Sequence, residues 1–242
     1  MTIRQKIYLI PGTMCNEQLW SSVLPLLTNK VADVYEFVHV KIPRDKNFTQ
    51  ITAYLNRFFK EDSVLIIGFS LGGYIAAHFA TSHPKRVAKA LIISNSPCAL
   101  PSAEEKQRND IIEFVNHYGY KGMSKARAAQ LLDVKNGDET WIQSLVELII
   151  DMDVDLGELE FKSQMRSTSK REDLFDELVC ASTRFTFYFS DDDVLVNSSW
   201  LDKLEQISTN CTFKHSEGSG HMLPLEKPNE SADYIHEWLN SN

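Results

Sequence analysis

The run Val64-Leu65-Ile66-Ile67 leads directly into Gly68-Phe69-Ser70-Leu71-Gly72-Gly73, and Tyr74-Ile75-Ala76-Ala77-His78-Phe79-Ala80 follows at once. A short β-branched and aliphatic run reads as a buried strand, and the Ala-containing segment behind it reads as a helix. Only a turn centred on Ser70 is left to join them. Side chains two residues either side of that serine would collide where strand and helix approach, so Gly68 and Gly72 follow from the geometry. The turn strains the serine backbone and projects its hydroxyl above the sheet edge. The helix N-terminus behind it favours developing negative charge. A plain Gly/Ser loop is the bland alternative, and the strand and helix flanks argue against it. A serine hydroxyl is a poor nucleophile unaided, so the rest of the chain must supply a base, an acid and an oxyanion hole.

The 242 residues suffice for one α/β domain with a substantial core, and 43% hydrophobic with 24% charged residues is ordinary for a globular chain. A net charge of -8 argues against nucleic acid or an anionic membrane as main partner. A small-molecule substrate fits that balance. Cys15, Cys98, Cys180 and Cys211 form no CxxC pair and no metal-ligand spacing, which predicts reduced thiols in a cytoplasmic protein. Met1-Thr2-Ile3-Arg4-Gln5-Lys6 precedes only four apolar residues before Pro11, too short a stretch for a signal segment, and no run is long enough for a bilayer. The histidines make no H-x-x-x-H or comparable ligand set, so neither a metal nor a cofactor is predicted.

Taken in order, Ile7–Ile10 is a strand ending at Pro11-Gly12, and Trp20, Val23, Leu24 and Leu27 give a helical stripe. A second strand lies within Asp33–Ile42, and Ile51, Tyr54, Leu55, Phe58 and Phe59 repeat at helical spacing. The strand and helix around Ser70 come next, then a strand over Ala90–Ser94. Strands and helices in alternation predict a parallel sheet with helices on both faces. From about Pro97 to Ala181 the pattern is helical throughout, with stripes at Ile111, Ile112, Phe114, Val115 and Tyr118, at Ala128, Leu131 and Leu132, and at Trp141, Leu145, Leu148, Ile149 and Met152. This stretch, 97–181, is expected to form a cap over the strand C-termini within a single domain spanning 1–242. Padding of the sheet is the simpler alternative. The alternation then resumes with Phe185–Phe189, a helix marked by Trp200, Leu201, Leu204 and Ile207, a short strand at Cys211–Lys214, and a closing amphipathic helix.

Open parallel sheets place ligands at strand C-terminal ends. Ser70, the carboxylates Asp191, Asp192 and Asp193, and His221 each follow a predicted strand and so share one sheet edge. Imidazole, with its ordinarily near-neutral pKa, suits the base, and Gly218 and Gly220 let its loop reach the serine. An aspartate would orient that imidazole, and three stand in a row.

Three segments together carry a family resemblance: Ile10-Pro11-Gly12-Thr13-Met14-Cys15-Asn16-Glu17-Gln18-Leu19-Trp20, the Gly68–Gly73 turn, and Gly220-His221-Met222-Leu223-Pro224-Leu225-Glu226-Lys227-Pro228. The chain resembles the α/β-hydrolase fold over nearly its whole length, most of all the small lid-bearing serine acyl hydrolases of carboxylesterase type. It has Pro11-Gly12 where many members have His-Gly, as one subgroup does. Ser, Asp, His is also the family's chain order. The resemblance implies about six mainly parallel strands, with the family's first antiparallel pair absent. Its Gly-x-x-Asp-x-x-Val loop, laid on Ser190–Val196, selects Asp193. It also implies an oxyanion hole from the backbone N–H groups of Leu71 and Thr13, with Met14 as the alternative to Thr13.

The resulting expectation is a serine hydrolase acting on a carboxylic ester or thioester through an acyl-enzyme on Ser70. Lactone opening, carbon–carbon bond hydrolysis and the lyase step of menaquinone synthesis are alternatives on the same triad, and a non-catalytic binding scaffold is the alternative of another class. Met14 and Met222 are candidates for an apolar acyl pocket, with core packing the simpler fate. Arg108, Arg127, Arg166 and Arg171 are available to an anionic substrate or an acyl-carrier partner, with solvated surface the simpler expectation for each. The sequence leaves the oligomeric state and the physiological substrate open.

Overall fold

The computed structural model describes residues 4–31, 33–135 and 137–241. Of the N-terminal stretch read above, Met1-Thr2-Ile3 lies outside the described residues. The strands are β1 (Gln5–Ile10), β2 (Tyr35–His39), β3 (Val64–Phe69), β4 (Val87–Ile93), β5 (Arg184–Ser190) and β6 (Cys211–Ser216). They form one parallel sheet in the order β2-β1-β3-β4-β5-β6.

Strand residues alternate between two cores. Tyr8, Ile10, Val64, Ile66, Ala90 and Ile92 face one side, where they meet α2 (Phe48–Phe58), α3 (Leu71–Ser82) and α8 (Ser198–Ile207). Ile7, Leu9, Leu65, Ile67, Leu91 and Ile93 face the other, against α1 (Val23–Val31) and α10 (Pro228–Asn240). Burial on both faces is why these strands read as continuous apolar runs and not as alternating ones. The pattern predicts a strand somewhere within Asp33–Ile42, and the structure confines it to Tyr35–His39. Val34 instead closes a turn onto Val31, N···O 3.0 Å. As an edge strand, β2 pairs only with β1 and is half-buried throughout.

The chain leaves β1 in one direction for β2, crosses back to β3, and then builds the sheet the other way. Adjacent strands whose connections depart to opposite sides open a crevice at their C-terminal ends. Here β1 and β3 flank that crevice, and the loop after Ile10 and the turn at Ser70 are its walls.

Between β4 and β5 lie α4 (Ser102–Tyr118), α5 (Lys125–Ala129), α6 (Glu139–Ser167) and α7 (Phe175–Cys180). Helix α6 is interrupted at Gly157, whose φ of 70° departs from helical geometry. Its first half contributes Leu145, Val146, Ile149 and Met152 to the α1–α10 core. Helix α7 does not stand over the sheet edge: Leu174 and Leu178 are buried in the opposite core beside α3 and α8. The C-terminal part of 97–181 therefore pads the sheet. Helix α4 turns Ile112 and Val115 inward and leaves Ile111, Phe114 and Tyr118 exposed.

The glycines around Ser70 are required by backbone contacts. A Cβ on Gly68 would stand 2.2 Å from the Gly72 carbonyl oxygen, and a Cβ on Gly72 would stand 2.2 Å from that of Ile10. Both obstacles are main chain and cannot swing away. Gly72→Ala is expected to cost about 3 kcal/mol through overpacking of backbone against backbone. A shift of the urea midpoint by that amount, with the slope unchanged, is the expected result, and a variant as stable as the parent would contradict this account.

Candidate active site

Ser70 occupies the turn between β3 and α3 with φ 49° and ψ -117°, a strained conformation for a residue with a side chain. Its N–H donates to the Ile93 carbonyl at 2.8 Å, and its carbonyl accepts from Gly73 and Tyr74 in the first turn of α3. The serine is thus pinned to the neighbouring strand on one side and to its own helix on the other.

His221 lies on the loop between β6 and α9 (Leu223–Glu226). Its Nε2 is 3.0 Å from Ser70 Oγ, and its Nδ1 is 2.7 Å from Asp193 Oδ2. Asp193 is 5% exposed and His221 6%, and Asp193 Oδ1 accepts from the Leu195 N–H at 2.9 Å. The structure gathers Ser70, His221 and Asp193 across 151 and 28 residues of sequence separation. Asp191 is exposed and pairs with His215 Nδ1 at 2.9 Å, and Asp192 is exposed. Neither forms a hydrogen bond to His221.

The β1 loop abuts the turn. A Cβ on Gly12 would stand 3.2 Å from Ser70 Cβ, and Gly72 packs under the Ile10 and Pro11 carbonyls. Within this loop Met14 takes a left-handed φ of 52°, and its N–H donates to Gln164 Oε1 on α6 at 2.9 Å. That donor is occupied. The N–H groups of Thr13 and Leu71 form no hydrogen bond among the described residues, and both belong to segments that meet at Ser70. Met14 and Met222 are each 2% exposed, and Met222 joins the α1–α10 core. Burial pushes the Cys15 thiol up to about 12, so this nearby sulfur is held as an unreactive thiol. Among the described residues no group of three or more His, Cys, Asp or Glu side chains could hold a metal ion, and no helix is long and apolar enough to cross a membrane.

Several supporting residues carry no local sequence signal. Ser94, at φ 51° on the end of β4, donates its hydroxyl to the His221 carbonyl at 2.8 Å. The His221 N–H donates to the Leu131 carbonyl at 2.9 Å, on the segment between α5 and α6. Glu226 sits behind the loop. Its carboxylate accepts from the Asp133 N–H at 2.6 Å and the Met222 N–H at 2.9 Å, and it fills the space a Cβ on Gly220 would need. Glu226 stands inside the motif quoted above, but its burial is legible only in three dimensions.

Burial raises the Glu226 pKa from its ordinary 4.5 to about 7, against the two backbone donors and the His221 imidazole, which lower it, while the Asp133 carboxylate adds to the rise. Between those values the native state holds a proton that the unfolded chain has lost. Stability from this group is therefore complete below pH 4.5 and declines by roughly 3 kcal/mol as pH rises through 7. Glu226→Gln removes the titration. The difference in melting temperature between parent and variant should change steadily across that window, and parallel profiles would refute the assignment.

A nucleophile candidate on a strand-to-helix turn, between a β1 loop and a histidine loop at the edge of a parallel sheet, defines the α/β-hydrolase class. Residues 46–228 match the model of the alpha/beta hydrolase fold family, and the chain belongs to that family. It is 26% identical over 134 residues to the biotin biosynthesis bifunctional protein BioHC of Teredinibacter turnerae, a match covering 48% of this chain and 23% of that protein. The chain thus spans about a quarter of the length of the curated relative it matches. Among solved structures, the enol-lactonase of Burkholderia xenovorans superposes with a TM-score of 0.81 at 12% identity, over 99% of this chain and 93% of the other. A thermophilic esterase of Thermogutta terrifontis gives 0.77 at 17% identity, over 97% and 89%.

Proposed function

We propose that this protein is a serine hydrolase that cleaves a carboxylic ester or thioester of a small or medium acyl substrate through an acyl-enzyme on Ser70. The observation that carries this reading is the continuous pair of hydrogen bonds from Ser70 Oγ through His221 to Asp193. Ser70 Oγ attacks the acyl carbonyl as His221 Nε2 takes its proton. Asp193 holds the imidazole in the tautomer with Nδ1 protonated and stabilises the cation that forms. The oxyanion lies against the Leu71 and Thr13 N–H groups, which have no other acceptor among the described residues. Collapse expels the alcohol or thiol, which takes its proton from His221, and water then repeats the sequence on the acyl-enzyme.

In this reading α4, α5 and α6 form the cap. Gln164 fastens α6 to the β1 loop at Met14, so the helix that limits access also braces the oxyanion donors. The cytoplasm is the proposed compartment. The esterase and the enol-lactonase among the similar folds favour acyl transfer to water, with lactone opening as the nearest variant on the same residues. A fluorophosphonate should add its mass to the peptide containing Ser70, and one member of a panel of esters, thioesters and lactones should turn over. Modification of a different residue would refute the assignment. A protein that is neither modified nor active on the panel is a binding scaffold.

A further inference from the structure

The four arginines singled out in the sequence fare differently in the fold. Arg127 and Arg166 are exposed. Arg108 on α4 and Arg171, between α6 and α7, are half-buried, and the Arg171 segment is hydrogen-bonded through Leu174 to the loop that follows β4. That loop starts at Ile93, whose carbonyl holds the Ser70 N–H, and runs on through Pro97, which accepts from the Leu174 N–H, to Cys98. The Arg171 guanidinium lies over the Tyr74 ring, 5.3 Å from its centroid, and Tyr74 stands one turn along α3 from Ser70.

The two guanidiniums are short of acceptors. Arg108 Nε and Nη2 both donate to a single oxygen of Glu104, at 3.2 and 3.1 Å. Its Nη1 is buried and has no partner among the described residues. Arg171 donates from Nε to the Thr168 carbonyl at 3.3 Å, and its two terminal nitrogens donate to no described residue. On the same segment Asp173 accepts from Trp200 Nε1 at 3.0 Å. Burial, with Arg108 alongside, pushes the Arg171 pKa down to about 10. Glu104 is the one carboxylate hydrogen-bonded to either guanidinium among the described residues, so an added anion would find unfilled donors on both. An unfilled buried donor such as Arg108 Nη1 is uncommon in folded proteins and calls for an explanation.

We propose that Arg108 and Arg171 form a subsite for a carboxylate carried by the substrate, so that this enzyme prefers half-esters of dicarboxylic acids to neutral esters. A guanidinium fork matches a planar carboxylate with two parallel hydrogen bonds, which a neutral acyl chain does not supply. The proposal rests on the ester-hydrolase reading of Ser70.

Two measurements test it separately. In the first, kcat/KM is compared between monomethyl esters of C4–C8 dicarboxylic acids and methyl alkanoates of equal length. The expected result is a preference for the anionic series at one length, reduced about tenfold or more in Arg108→Gln and in Arg171→Gln through KM. The ratio is unaffected by the fraction of folded enzyme, and Arg127→Gln should leave it unchanged. In the second, free C4–C8 dicarboxylates at fixed ionic strength should raise the melting temperature of the parent and not of Arg108→Gln or Arg171→Gln. This readout needs no turnover. No anionic preference at any length, or a preference and thermal shift retained in both variants, overturns the subsite. Loss of Ser70 labelling with the thermal shift intact would overturn the hydrolase reading and leave the subsite standing.

Discussion

Ser70→Ala is expected to lower kcat by about 10⁶-fold, roughly 8 kcal/mol of barrier. The loss is this large because Ser70 Oγ is both the bond-forming atom and the group hydrogen-bonded to His221 Nε2. Alanine leaves the base with nothing to deprotonate but water. The fold should tolerate the change, since Ser70 is pinned through its own N–H and carbonyl and not through the hydroxyl. Alanine does inherit the left-handed φ of 49°, a local cost that should show as a small drop in melting temperature. Steady-state turnover of the best ester, with circular dichroism as the fold control, settles the matter. A loss under tenfold would assign the chemistry to another group.

Asp193→Asn should reduce kcat by about 10⁴-fold. The Asn side chain can keep the Leu195 N–H bond that Asp193 Oδ1 now accepts at 2.9 Å. Its amide would then present N–H groups to His221 Nδ1, where a carboxylate oxygen now stands at 2.7 Å. Donor facing donor forces the other tautomer, with Nε2 protonated and unable to take the Ser70 proton. Asp191→Asn removes only an exposed partner of His215, and Asp192→Asn changes an exposed loop carboxylate. Each should stay within about twofold of the parent, as exposed ion pairs contribute little. An equal loss at either position would overturn the choice of Asp193.

Some of this was legible along the chain because it is local. The turn at Ser70 is announced by an apolar strand, a helix and two glycines that no other residue could replace beside the Gly72 and Ile10 carbonyls. His221 is marked by its loop glycines. The choice among Asp191, Asp192 and Asp193 was not local. Consecutive loop carboxylates differ only in which one the fold turns inward, and the fold turns Asp193 in, to 5% exposure. The same holds for the arginines, alike in sequence and divided by packing into two exposed and two enclosed. Helical spacing located α4 but not which of its apolar residues turn inward: Ile112 and Val115 are buried, while Ile111, Phe114 and Tyr118 are exposed.

By itself, then, the sequence determined the strand and helix order, the strained serine turn and the residue types needed to activate a hydroxyl. Those depend on periodicity and on sterics within a few residues. Only the tertiary structure decided that Gln164 occupies the Met14 donor, that Glu226 and Ser94 brace the histidine loop, and that Arg108 keeps a buried donor unfilled while Arg171 lies over the Tyr74 ring. Such contacts join residues on different elements, and their partners are chosen by how whole elements pack against one another.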